Sequence, residues 1–423
     1  MVDEKIEVIH MSAAKKKKIL IVVMDGLGDR SCTALNGSTP LQYTSTPNLD
    51  WFTENGCAGI MDVIAPGVGP GSDTAHLALL GYDPYKVYKG RGPFEAAGIG
   101  LVGKKGDVAF RCNFSTVNEN YEITDRRAGR VKAPETTELI KALSGIVIDG
   151  IEILVKEGTE HRAALILRGK GLDPNVTDAD PHDLGKVAIS KGRTKEAEFT
   201  ASVVNRFVKL SYEMMKDHPV NAERRKKGLP EANILLPRGA GSFPDIIPFH
   251  EKNNMTAACV AGVGMIKGIS EICGLDIIDL PKECTGGLDT DMIKKAEIAL
   301  KTIEKYDFVL MNIKAPDISG HDGRPDEKCS VIRRLDEMAG YLKKNMSVDM
   351  VIAFTADHCT PIEVGDHSGD PVPLTIFTKT MIKDKATKFS ESGCAEGKIG
   401  RIRGKDLLPM CMDLANRSEK FGA

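Results

Sequence analysis

Apolar residues in this chain gather into short unbroken runs that end at carboxylate or imidazole residues. Ile19 to Met24 is apolar throughout and rich in β-branched side chains, then stops at Asp25-Gly26. That is the pattern of a strand buried on both faces. Pro47 to Asn55 reads as a helix and Gly59 to Ile64 as a second short strand, followed by the tight loop Pro66-Gly67-Val68-Gly69-Pro70-Gly71. Ser72-Asp73-Thr74 opens a helical stretch through Ala75 to Leu80, with a cap-forming residue at its start and Gly81 just beyond its end. From Met255 onward the runs Ala257 to Val260, Phe308 to Ile313, Val351 to Thr355 and Val372 to Phe377 alternate with helical patterns over Asp291 to Lys305 and Val331 to Lys344. The alternation predicts βαβ units and a parallel sheet.

Between these two blocks the texture changes, starting near Lys104 to Gly106. Asp107 to Phe114, Ile151 to Val155 and Ala163 to Leu167 are strand-like, while Glu135 to Leu143 and Glu196 to Met215 are helix-like. The expected fold is therefore α/β: a mostly parallel sheet flanked by helices, built from 18–104 and 255–423, with an α+β domain inserted at 105–254. Residues 1–17 read as a polar N-terminal extension. Gly98-Ile99-Gly100-Leu101-Val102-Gly103 spells a dinucleotide-binding pattern but lacks the preceding strand that such a loop requires, so it is read as a turn between domains.

Composition narrows the function classes. With 423 residues, 42% of them hydrophobic and 27% charged, the chain is long enough for more than one core. A net charge of -2, from 57 basic and 59 acidic residues, offers no broad field for nucleic acid or an anionic membrane. The basic runs Lys15 to Lys18 and Glu223 to Lys227 are read as a solvated tail and a loop. The ten cysteines form no Cys-x-x-Cys pair and sit in apolar runs, which suits reduced thiols in a cytoplasm. No apolar stretch approaches the roughly 20 residues of a membrane span, and no secretory leader is apparent.

The chemistry lies where the runs end. Asp25 would offer a hard oxygen at the sheet edge, although an Asp after a strand is also a common loop cap. Ser72 at a helix N-terminus is suited to phosphate and to nucleophilic attack, and capping explains a serine there about as well. The glycine-rich loop before it favours the nucleophile. Asp317 and His321 are spaced i, i+4, on one face of a helical turn. Asp357 and His358 follow a strand, and His367 sits in the next loop. Carboxylates and imidazoles without thiolates suit manganese, zinc or cobalt at two neighbouring positions. Strand ends converge on one edge of an open parallel sheet, so the set points to two-metal phosphoryl transfer. His76, one turn beyond Ser72, fits helix packing as well as the site.

Taken together, Val22-Val23-Met24-Asp25-Gly26, Gly71-Ser72-Asp73-Thr74-Ala75-His76, Ala315-Pro316-Asp317 with Gly320-His321-Asp322-Gly323, and Thr355-Ala356-Asp357-His358 resemble the alkaline phosphatase superfamily. More narrowly, the chain resembles its archaeal-type cofactor-independent phosphoglycerate mutases. The resemblance implies interconversion of 3-phosphoglycerate and 2-phosphoglycerate without a bisphosphoglycerate primer, with Ser72 as the phosphoserine nucleophile. It implies one divalent ion on Asp317, His321 and His367 and another on Asp25, Ser72, Asp357 and His358, manganese first, with zinc, cobalt or magnesium as alternatives. In the middle block, Arg126, Arg130, His161, Arg162, Arg168 and Arg238 resemble substrate-binding motifs, Asp125 is the candidate proton relay, and Arg127 reads as a surface ion pair. A phosphatase or another phosphomutase on the same metals is the nearest rival, and a non-catalytic metal-dependent binding protein a more distant one. A small-molecule substrate is the expected partner, and the sequence leaves the oligomeric state open.

Overall fold

The computed structural model describes residues 15–347, 349–420 and 422, so most of the expected N-terminal extension lies outside the described residues. The chain forms two compact units: Met1–Tyr82 with Met255–Val260 and Ile278–Ala423, and Asp83–Asn254 with Ala261–Ile277.

In the first unit, the apolar runs are strands with both faces covered. Their order across the sheet is Ala257–Val260, Phe308–Ile313, Lys18–Met24, Met350–Thr355, Val372–Phe377, Cys57–Asp62 and Gly400–Arg403. Val372–Phe377 runs antiparallel to both neighbours, and the other pairings are parallel. Ile19 to Met24 are completely buried, which is why that segment shows no alternation of polar and apolar positions. Register then matters for function. Met24 lies beside Ile313, and Val23 beside Thr355. The residues that follow these three strands therefore emerge side by side at one sheet edge.

The second unit is built on antiparallel pairing. Val108–Val117 pairs with Arg162–Arg168 on one side and Ile234–Ser242 on the other, and its far end pairs with Glu122–Asp125. Val108, Phe110, Cys112 and Phe114 point into a core shared with Val204 and Phe207 of the helix Glu198–Met215. The opposite face begins with Ala109, packed against Ala96, Ala164 and Ile166. Farther along that face come Arg111 and Asn113, opposite Arg238 and Arg162. The two-residue period of the strand thus sorts one segment into a greasy face and a cationic one.

The structure differs from the sequence reading at several points. The second unit starts at Asp83 and recruits Ala261–Ile277, whereas the texture change suggested 105–254. The reason is a close helix pair, Gly92–Gly98 against Gly264–Ile272. A Cβ on Gly268 would lie 2.0 Å from the Phe94 carbonyl oxygen, and one on Gly98 would lie 2.0 Å from that of Gly264. The Gly98 to Gly103 segment accordingly sits inside the second unit instead of between domains. The basic run at Glu223 to Lys227 forms the last turn of the helix Pro219–Lys226 and its C-cap, Lys227, not a loop. Its Arg224 is buried and donates to the Ala128 and Pro230 carbonyls. Among the described residues, no helix is long and apolar enough to cross a membrane.

Candidate active site

Asp25 follows the central strand, fully buried, and its backbone N–H donates to the Ile313 carbonyl at 3.0 Å. Lys314, the first residue after the neighbouring strand, donates from Nζ to Asp25 Oδ1 at 2.7 Å and lies 2.7 Å from Asp317 Oδ2. Asn312 Nδ2 holds the other Asp25 oxygen at 3.0 Å. Gly26 then turns the chain at φ 66°, where a Cβ would sit 2.6 Å from Asp317 Cα. Only glycine satisfies both the left-handed backbone and this approach.

Ser72 is the first residue of the helix Ser72–Leu79, with Gly71 at the cap position. Its hydroxyl does not cap the helix. It lies 3.3 Å from His358 Nε2 and 3.4 Å from Lys314 Nζ. His76 reaches back from the next turn, completely buried, with Nδ1 2.8 Å from the Ser72 carbonyl oxygen and Nε2 3.3 Å from Asn312 Nδ2.

Around this hydroxyl the donors fall into two groups that could each hold a cation: Asp25 with Asp357 and His358, and Asp317 with His321 and His367. Within each group the ligand atoms lie within 4.8 Å of one another. The three imidazoles are oriented alike. His321 Nδ1 lies 2.8 Å from the Gly365 carbonyl, His367 Nδ1 2.9 Å from the Pro70 carbonyl, and His358 Nδ1 3.1 Å from Thr360 Oγ1. A carbonyl can only accept, so Nδ1 carries a proton in His321 and His367, and Nε2 is the atom left to meet a cation once the ring is neutral. Those two Nε2 atoms face each other at 3.2 Å, with His367 Nε2 3.3 Å from Asp317 Oδ1. Asp357 Oδ2 is buried with no hydrogen-bond partner. An unpartnered buried carboxylate oxygen is costly unless a cation receives it, and with imidazole nitrogens converging beside carboxylates the residues fit the divalent ions that the donor set suggests.

Without a cation, Asp317 and the Pro70 carbonyl hold a proton on His367, whose value rises despite burial. Burial, reinforced by Asp357, raises the Asp25 carboxyl above its usual range. Burial likewise lowers His358 to about 3, which keeps the ring neutral. For Asp317, burial is outweighed by His367 and Lys314, and its carboxyl falls well below the ordinary value. Lys314 stays charged despite burial because Asp25 and Asp317 flank it.

The second unit carries its own polar cluster. Asp180, nearly buried, lies 3.5 Å from Arg126 Nη2, 3.4 Å from Arg238 Nη1 and 3.3 Å from Asn113 Nδ2. His161 is buried with an unpartnered Nδ1, and burial together with Arg162 and Arg127 lowers it to about 4. Arg162 is exposed at the end of its strand, and Arg130 stands outward, 3.6 Å from Glu160.

Two expected residues are engaged elsewhere. Arg168 lies at the other end of the strand from Arg162, about 20 Å away at the usual rise per residue. Its guanidinium forks onto Asp107, with Nη2 at 2.7 Å, so it braces a loop and does not join the cluster. The Asp125 carboxylate accepts from the backbone N–H groups of Arg127 at 2.7 Å and Gly129 at 2.8 Å, which makes it the scaffold of the 126–130 turn.

Lys314, Thr360, Asp180, Asn113 and Arg111 were not singled out by sequence reasoning. Arg111 had a visible signal, as a lone charge inside the apolar run Val108 to Phe114. Burial lowers it to about 10, with Glu95 opposing and Arg162 and Arg238 adding to the effect. Lys314 also had one, since it is the first polar residue after a buried strand in register with the strand before Asp25.

Comparison with known proteins gives one consistent result. A family profile described as 2,3-bisphosphoglycerate-independent phosphoglycerate mutase matches residues 53–221. The enzyme of that name from Methanococcus maripaludis strain C7 is 48% identical over 410 residues, covering 96% of this chain and 100% of that protein. 2,3-Bisphosphoglycerate-independent phosphoglycerate mutase 1 of Methanocaldococcus jannaschii is 47% identical over 414 residues, covering 97% and 100%. Among solved structures, a Pyrococcus horikoshii protein is 39% identical with a TM-score of 0.84, covering 97% of this chain and 100% of that one. The cofactor-independent phosphoglycerate mutase of Thermoplasma acidophilum is 37% identical with a TM-score of 0.72, covering 94% and 100%.

Proposed function

The chain belongs to the 2,3-bisphosphoglycerate-independent phosphoglycerate mutases and interconverts 3-phosphoglycerate and 2-phosphoglycerate; we propose that it does so through a phosphoserine at Ser72, flanked by two divalent ions. The observation that carries this reading is the Ser72 hydroxyl, 3.3 Å from a buried His358 Nε2 at the edge of two converging donor groups. Asp317, His321 and His367 would hold one ion, and Asp25, Asp357 and His358, with Ser72 Oγ, the other. Manganese suits this mixture of carboxylate and neutral imidazole, with zinc, cobalt and magnesium as competitors. When bound, such ions favour the serine alkoxide and offset charge on the transferring phosphoryl oxygens.

The chain's own residues supply the rest. Ser72 sits at the positive end of its helix, where backbone N–H groups favour a phosphate. Lys314 adds a fixed ammonium 3.4 Å from the same oxygen, stabilising alkoxide and phosphoserine alike. In the first half-reaction the Ser72 Oγ–P bond forms as the bond from phosphorus to the substrate C3 oxygen breaks. In the second, the C2 oxygen of glycerate takes the phosphoryl group and Ser72 Oγ leaves. Arg126, Arg238, Arg162 and Arg111, with His161, have the chemistry to hold the carboxylate of glycerate, because a guanidinium fork matches it in two hydrogen bonds. Arg168 and Asp125 are assigned scaffolding instead.

A coupled assay tests this reading. Manganese-loaded protein is expected to isomerise 3-phosphoglycerate faster than it releases inorganic phosphate, and the reverse order would replace the mutase by a phosphatase.

A further inference from the structure

Thr360 is fully buried and touches both donor groups at once. Its Oγ1 lies 2.7 Å from Asp317 Oδ1 and 3.1 Å from His358 Nδ1. A hydroxyl has one proton, and an ionised carboxylate can only accept. The Thr360 O–H therefore donates to Asp317, and its lone pair accepts the His358 Nδ1 proton. The direction of this chain leaves His358 Nε2 bare, and it is Nε2 that faces Ser72 Oγ and, at 3.3 Å, Asp357 Oδ2.

The rest of Thr360 is clamped. Its N–H donates to the Gly28 carbonyl at 3.1 Å, and its own carbonyl accepts from Lys328 Nζ at 2.9 Å. Lys328 is completely buried and paired with Asp29 Oδ2 at 2.7 Å, and Asp29 also accepts from the Ile362 N–H. Two glycines make room for it. A Cβ on Gly26 would lie 2.7 Å from Thr360 Oγ1, and one on Gly320 would lie 2.4 Å from the Thr360 carbonyl oxygen. Neither Lys328 nor Asp29 touches the donor groups through any ligand atom, so the phosphoryl-transfer chemistry alone leaves this buried pair unexplained.

We infer that Thr360 is a positioning residue that couples the two ion sites, fixing the His358 tautomer and the Asp317 rotamer through one hydroxyl, on a residue whose backbone carbonyl is held by Lys328 of the Lys328–Asp29 pair. The inference rests on reading both donor groups as ion sites. It differs from a packing role in the order of two substitutions. Thr360→Val keeps the shape and removes the hydroxyl, whereas Thr360→Ser keeps the hydroxyl and removes a methyl group.

The test extracts manganese from the loaded full-length chain with increasing EDTA, reading bound metal by elemental analysis. The expected result is that Thr360→Val loses both ions at a chelator concentration about 10–100-fold lower than wild type, the usual effect of losing a group that orients a ligand, while Thr360→Ser stays near wild type. A Val profile that overlays wild type, or a Ser variant more affected than Val, overturns the inference. If the Val variant does not fold, Thr360→Ala replaces it, and equal shifts for Ala and Ser likewise overturn it. Wild-type chain that retains no manganese would instead sink the reading of the donor groups themselves.

Discussion

At the scale of single residues, the structure divides side chains of the same type by what they touch. Arg168 and Arg238 looked alike in sequence, yet one forks onto Asp107 and the other meets Asp180 beside Arg126. Arg238→Ala is therefore expected to raise KM for phosphoglycerate with little change in melting temperature, and Arg168→Ala to do the opposite. Steady-state kinetics with thermal denaturation on both variants checks this, and a KM effect confined to Arg168 would reverse the assignment. Lys314→Met should lower kcat by about 10²–10³, the loss typical of one preorganised charge at a site of developing negative charge, with the fold retained by circular dichroism. His161 gives a pH prediction. Its folded value, about 4, lies below the ordinary 6.5, because of burial and then Arg162 and Arg127, with Glu160 opposing. The unfolded chain then binds more protons between these values, so His161 lowers stability as pH falls from about 6.5 to 4. His161→Gln should flatten that part of a urea-denaturation profile measured against pH, and an unchanged slope would remove His161 as its cause.

Elements place these residues, and here the sequence was most legible. A strand buried on both faces has no alternation, only an apolar run with polar ends, and Ile19 to Met24, Phe308 to Ile313 and Val372 to Phe377 could all be read that way. Candidate ligands follow the first two because parallel strands release their next residues at one edge. Less legible were the elements whose cue is not hydrophobic periodicity. Ile234–Ser242 is a strand interrupted by Pro237, Gly239 and Gly241, and Gly264–Ile272 packs through glycines that look like loop residues. The loops after the strands depend on a buried charge pair, Lys328 with Asp29. Removing one partner leaves the other charge buried alone, so Lys328→Ala is expected to cost about 3–5 kcal/mol of stability in denaturant titration. A loss below about 1 kcal/mol would show that the clamp is dispensable.

For the molecule as a whole, the chain forms two compact units, and the chain order explains why the first offered more cues in the sequence. In the first unit, Asp25, Ser72, Asp317 and His358 each follow a recognisable strand or open a recognisable helix, so spacing and resemblance agreed on them. In the second, candidate side chains share a face of an antiparallel sheet, a relation set by cross-strand register that sequence order hides. Arg111 opposite Arg238, and Asn113 opposite Arg162, follow only once the pairing is known. The proposed reaction turns on the hydroxyl of Ser72, and the most direct measurement locates the phosphate during turnover. Manganese-loaded protein mixed with 3-phosphoglycerate, quenched in acid within milliseconds and mapped by peptide mass spectrometry should carry phosphate on Ser72. Phosphate found on another residue, or a Ser72→Ala variant that still isomerises at the wild-type rate, would contradict it.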